Sequence, residues 1–167
     1  MDILSSLDFT RREAPTTNDD LREHLIDWLG YQRHEFVRKL RDLTPAQMAE
    51  WSVPPLELSV LGLVRHMTQM EHGYVTIGLG GGERVFRYGE DDYPGGSADT
   101  VDEDLGFYLA EVTRADDAIA AMPSLESMGA GHGWTLAATL IKMIDEYAIH
   151  AGQAHMLRFA ALGEIKR

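Results

Sequence analysis

Glu146 and His150 stand four residues apart in an apolar, proline-free stretch, residues 134–162, WTLAATLIKMIDEYAIHAGQAHMLRFAAL. On an α-helix that spacing puts both side chains on one face, with Cβ atoms about 6 Å apart. A carboxylate and an imidazole presented together can ligate a divalent metal. The same spacing suits a plain Glu–His hydrogen bond in a core, so on spacing alone both readings stand.

A metal site needs further ligands, and the chain has seven histidines and no cysteine. His24 and His34 stand beside charged neighbours. His72 is rotated by about 120° from His66 on a shared helix, and His155 by about 140° from His150. His132 falls in a glycine loop. His66 is then the remaining inward candidate, giving the set His66, Glu146 and His150. Gln153, three positions past His150, shares their face as a near-site polar group. Two histidines and a glutamate suit zinc with one coordination position open; nickel and iron accept the same donors.

The elements that must position these groups read as helices. The pattern of Leu21, Leu25, Trp28, Leu29, Phe36 and Leu40 predicts a first helix to about Arg41, with a Thr17/Asp20 capping box. Its charged side (Arg22, Glu23, Asp27, Arg33, Lys39) reads as solvated. Thr44-Pro45-Ala46-Gln47 signals a short extra helical turn, ended by Pro54-Pro55. Ser59 caps a second helix that carries Val60, Leu61, Val64, His66, Met67, Met70, Tyr74 and Val75. The glycines of residues 78–82 end it; without a preceding strand or a following Gly-Lys-Ser/Thr they are a poor phosphate loop. Residues 83–99 form a long irregular loop in which Phe86, Tyr88 and Tyr93 can cover a core opening and Arg84 and Arg87 can face an anion. Thr100/Glu103 reads as the cap of a third helix, with Val101, Leu105, Tyr108, Leu109, Val112, Ala115 and Ile119 inward and Pro123 as its stop. Gly163 ends the fourth helix, and Lys166-Arg167 complement its C-terminus. The fold class is therefore all-α, most simply a four-helix bundle. Residues 1–17 are expected as an irregular lead-in and 18–167 as a single domain.

Acidic residues outnumber basic ones 27 to 15, a formal charge of −12. Such a chain is repelled by nucleic-acid phosphates and anionic lipid, so neither partner is expected. No stretch approaches the ~20 apolar residues of a membrane span. With no cysteine and no signal-like N-terminus, a cytoplasmic location is the default.

The segments SVLGLVRHMTQMEHGY (59–74) and WTLAATLIKMIDEYAIHAGQAHMLR (134–158) resemble the second and last helices of the DinB-like superfamily. The match is to its actinobacterial branch, which includes relatives of mycothiol-dependent maleylpyruvate isomerase and bacillithiol S-transferase-like proteins. The likeness extends over most of residues 11–162 and is weakest in 80–99. It implies a DinB-type four-helix bundle, often a homodimer, with a divalent metal on the positions of His66, Glu146 and His150. It also implies thiol S-transfer or isomerisation with a low-molecular-weight thiol such as mycothiol, the partners being that thiol and a small electrophile. A non-catalytic dimeric bundle that binds a metal or small ligand, in a stress response, is the alternative. The chain departs from the branch pattern at Gln153, where a histidine is usual, at His155 (aspartate) and at Phe159 (glutamate).

Overall fold

The computed structural model describes residues 2–17, 19–89 and 91–164. Among these the chain is helical, and one isolated antiparallel bridge, Met128 to Thr135, is the sole β pairing. The helices are α1 (Ile3–Ser6), α2 (Leu21–Arg38), α3 (Pro45–Ala49), α4 (Val60–Met70), α5 (Ile77–Gly80), α6 (Val101–Ala120) and α7 (Leu136–Ala161). A π-helical segment, Glu71–Thr76, joins α4 to α5 without a break. The Lys166-Arg167 pair lies outside the described residues.

Helix α2 packs most extensively on α7, while α4 packs on both α6 and α7. Their apolar faces share one core, with Leu29, Phe36, Leu63, Met67, Leu105, Tyr108, Leu140 and Tyr147 nearly or wholly sequestered. Burying a side chain of this size contributes roughly 1.5–3 kcal/mol. Phe36 meets Tyr147 edge to face at 5.8 Å and Tyr108 at 6.0 Å. Leu21 and Leu109 were expected inward, yet both are exposed. Leu21 is the first residue of α2, where the apolar stripe has not yet reached a neighbour.

Two caps differ from the sequence expectation. Asp20, not Thr17, caps α2, because the free amides of that end belong to Arg22 and Glu23, which its carboxylate accepts at 2.8 and 3.3 Å. Before α6 the box is Ser97 with Thr100 on a short 3-10 turn, so the Thr100 hydroxyl is committed one turn earlier than a Thr100/Glu103 box requires. The Thr44/Gln47 box and the Ser59 and Thr135 caps form. Within the stretch read as a lead-in, Ile3–Ser6 makes one helical turn, and the Ile3 amide donates to Asp102 on α6 at 2.8 Å.

Arg33 overturns its reading as a solvated charge. It is 7% exposed and grips Glu71, itself fully buried, through two 2.7 Å bonds, Nε to Oε1 and Nη2 to Oε2. The Tyr147 hydroxyl donates to Glu71 Oε1 at 2.6 Å. Burial pulls the Arg33 pKa down, but Glu71 outweighs it and holds the guanidinium well above its usual range.

Residues 121–135 form a loop that docks on the end of α5. Ala130 and Gly131 donate to the Leu79 and Gly78 carbonyls, each at 3.0 Å. At Gly131 a β-carbon would lie 2.2 Å from the Ile77 carbonyl oxygen, so the approach requires glycine. This loop delivers Thr135, whose hydroxyl caps α7.

Candidate metal centre

His66 comes from α4, Glu146 and His150 from α7. One ligating atom from each lies within 4.8 Å of the other two. The two imidazoles meet edge to face with centroids 4.6 Å apart. The three side chains are largely covered, at 13%, 14% and 8% exposure for His66, Glu146 and His150.

The hydrogen bonds behind the rings set which nitrogen faces inward. Asp92, in the long loop, lies 3.0 Å from His66 Nδ1. An ionised carboxylate only accepts, so Nδ1 carries the proton and the lone pair sits on Nε2. His150 Nδ1 lies 2.7 Å from Gln153 Oε1, again an acceptor. Its Nε2 therefore holds the lone pair, yet stands 3.1 Å from Glu146 Oε2. Two acceptors facing each other repel unless a proton or a cation lies between them. A divalent cation resolves that opposition and uses the lone pair of His66 as well. Carboxylate or carbonyl acceptors behind ligating histidines are the usual way such rings are oriented, so the donor set fits a divalent metal.

The surroundings are charged in a consistent way. Burial raises the Glu146 pKa, but hydrogen bonding and attraction from Lys142 and the nearby His150 hold it below the ordinary value. Lys142 is ion-paired to Glu146 Oε1, leaving Oε2 turned to His150. Asp92 is likewise held low: burial opposes ionisation, and hydrogen bonds from His66 and Gln69 outweigh it. Gln69 Nε2 donates to Asp92 Oδ2 at 2.8 Å and to the Gly89 carbonyl at 3.3 Å, while its Oε1 accepts from the Tyr88 amide at 3.3 Å. Tyr93 lies flat on His66, centroids 4.5 Å apart and planes 13° from parallel.

A family model described as Mycothiol-S-transferase matches residues 24–163. The chain belongs to this family. It is a DinB-like family related to mycothiol-dependent enzymes, in agreement with the resemblance carried by the second and last helices. No curated protein and no solved structure matches the chain. The span shared with the mycothiol S-transferase family contains the three converging residues together with Asp92 and Gln153.

The other histidines have separate employment. His34 Nε2 meets the Thr10 carbonyl at 2.7 Å, and His132 Nε2 the Tyr74 carbonyl at 3.0 Å. His72 donates from Nδ1 to Glu111 at 3.1 Å and accepts the Val85 amide on Nε2. His24 turns a buried Nδ1 with no hydrogen-bond partner among the described residues. His155, one of the branch departures, meets Phe159 edge to face in an exposed position. Arg158 bonds the Arg41 carbonyl and Asp42. Arg84 lies over Phe86, and Arg87 over Phe107.

Sequence reasoning missed Asp92, Gln69 and Lys142. Lys142 was within reach, since it precedes Glu146 by one helical turn. Nothing in the chain order singled out Asp92 from the other acids of its loop. Tyr93 was read as an aromatic cover, and it covers His66.

Proposed function

We propose that this chain is a metal-dependent thiol S-transferase or isomerase that uses mycothiol as its low-molecular-weight thiol. The observation that carries the reading is the convergence of His66, Glu146 and His150 with both imidazole Nδ1 atoms tied back to acceptors. Those three residues would hold the metal, with zinc the best match to two nitrogens and one carboxylate and nickel or iron also suited. When bound, such a cation lowers the pKa of a thiol and makes thiolate available at neutral pH.

The chain's own residues then have definite tasks. Asp92 and Gln153 fix ring orientation. Lys142 holds the second carboxylate oxygen of Glu146 away from His150. Tyr93 covers the His66 ring and limits water beside it. No described helix is long and apolar enough to cross a membrane, and we assign the activity to the cytoplasm. Residues 18–167 are taken as one DinB-type four-helix-bundle domain, built on α2, α4, α6 and α7. A homodimer would use the outer face of α7, where Ile141, Ile149 and Met156 are each at least half exposed.

The test is elemental analysis of protein purified without a histidine tag, followed by assays with mycothiol and a panel of electrophiles. We expect about one divalent metal per chain and mycothiol-dependent turnover, both lost in His66→Ala and His150→Ala. Metal without turnover for any thiol would instead select the non-catalytic binding role. Absence of metal affinity would remove the reading altogether.

A further inference from the structure

Lys142 lies one helical turn before Glu146 on α7 and is ion-paired to its Oε1, while Oε2 faces His150 Nε2 at 3.1 Å. We propose that Lys142 decides which cation the candidate centre takes. By occupying Oε1 it restricts Glu146 to one-oxygen ligation, and so selects against cations that need a chelating carboxylate. This rests on the metal binding proposed above.

A lysine four residues from a glutamate is ordinarily a surface pair that supports its own helix by a few tenths of a kcal/mol. Two observations set this one apart. The order lysine then glutamate is the less favourable one along a helix, so helix support does not account for the pair. The ammonium is also held from a second element, standing 5.8 Å from the centroid of the Tyr74 ring in the π-helical segment. That ring is itself fixed, by Trp134 at 5.5 Å and by His132, whose Nε2 meets the Tyr74 carbonyl at 3.0 Å. Lys142 thus sits between an aromatic face and Oε1, and Oε2 alone is left toward His150.

The donor count gives this arrangement its effect. Two imidazole nitrogens and one carboxylate oxygen are three donors, the set that leaves zinc a single open position. A carboxylate free to use both oxygens supplies a fourth, which suits oxygen-preferring cations of higher coordination number such as manganese. Lys142 withholds that fourth donor. Its charge also penalises any cation seated between the two oxygens.

The experiment is visible spectroscopy of the cobalt-loaded full-length protein, with zinc and manganese competing for the metal-free protein in parallel. Wild type and Lys142→Arg, which keeps a cation on Oε1, are expected to show the intense visible band of four-coordinate cobalt and to prefer zinc. Lys142→Met is expected to lose that intensity as Oε1 becomes a further donor. Its zinc-to-manganese preference should fall by about tenfold, the lower end of the effect of residues that orient a metal ligand. The Lys142 side chain is 32% exposed, so its replacement opens no core, and circular dichroism verifies the fold of both variants. A weak band in wild type, an unchanged band or an unchanged preference in Lys142→Met, or an equal change in Lys142→Arg overturns the assignment. Failure of wild type to take up cobalt or zinc removes the metal centre and this inference with it. Cobalt uptake with the same band in wild type and Lys142→Met removes the inference alone, and the expected spectra without thiol-dependent turnover support it while counting against the S-transferase reading.

Discussion

Replacing Asp92 by asparagine tests whether the long loop controls the candidate metal centre. The carboxylate is 8% exposed and takes a hydrogen bond on each oxygen, from His66 Nδ1 at 3.0 Å and from Gln69 Nε2 at 2.8 Å. Asparagine supplies one oxygen and one NH2 group, so one of the two donors must then face another donor. Flipping the Gln69 amide does not relieve this, because it would set Gln69 Nε2 against the Tyr88 amide and Gln69 Oε1 against the Gly89 carbonyl. The alternative is for His66 to move its proton to Nε2, which removes the lone pair from the site. Loss of such an orienting partner costs about 10–100-fold in metal affinity, or about 1.4–2.8 kcal/mol at 1.4 kcal/mol per decade. The assay is competition for zinc against a chromophoric chelator, with melting of the metal-free protein recorded in parallel. A zinc Kd within about twofold of wild type would show that His66 orientation does not depend on Asp92 and would refute the reasoning.

Three further outcomes are expected. Arg33→Met leaves Glu71 as a buried charge without its guanidinium and should cost about 3–5 kcal/mol in urea unfolding, much of it recovered in Arg33→Met/Glu71→Gln; a loss under about 1 kcal/mol would contradict the buried pair. Glu111 has a folded pKa held below its ordinary value, since hydrogen bonds from Thr76 and His72 overcome its burial. Its contribution is present above the unfolded carboxylate pKa, about 4.3, and is lost as pH falls through the lower folded value. Glu111→Gln should therefore flatten the acid limb of the melting temperature below about pH 4, and an unchanged limb would exclude this role. Zinc at a free concentration of 100 times Kd should stabilise wild type by about 2.7 kcal/mol, read as a rise in Tm that chelator reverses and His150→Ala abolishes; an equal rise in the variant would place the metal elsewhere.

The parts of this fold written in local order were legible in the chain. The Thr44/Gln47 box, the Ser59 cap, the glycine end of the second helix and the i, i+4 pair Glu146/His150 depend on residues within one turn of each other. His66 was legible by elimination, because helical rotation disqualified its neighbours. Asp92 was not, since its pairing with His66 spans 26 positions and crosses an irregular loop whose path no local rule sets. Arg33 failed for a related reason. A charged residue on a charged face reads as solvated unless its buried partner is known, and Glu71 is 38 positions away. Gln153 was placed on the correct face, but its task of accepting from His150 depends on rotamers that spacing does not specify.

The helix that carries Glu71 is not uniformly α. The buried residues Val60, Val64, Met67, Glu71, Val75 and Leu79 recur in steps of four, three, four, four and four. That is one residue more than five α-turns use at 3.6 residues per turn. The π-helical segment at Glu71–Thr76 absorbs the extra residue; such segments often accompany functional sites. Without it, the residues after Thr76 would be rotated by about 100° relative to those before Glu71. Gly78 and Leu79 would then no longer present their carbonyls to Gly131 and Ala130, the contacts that dock the 121–135 loop. That loop delivers the Thr135 cap, and the cap sets where α7 begins. The height of Glu146 and His150 opposite His66 thus depends on a helical irregularity lying between α4 and α5, which links the buried Arg33–Glu71 pair and the candidate metal centre through a single continuous element.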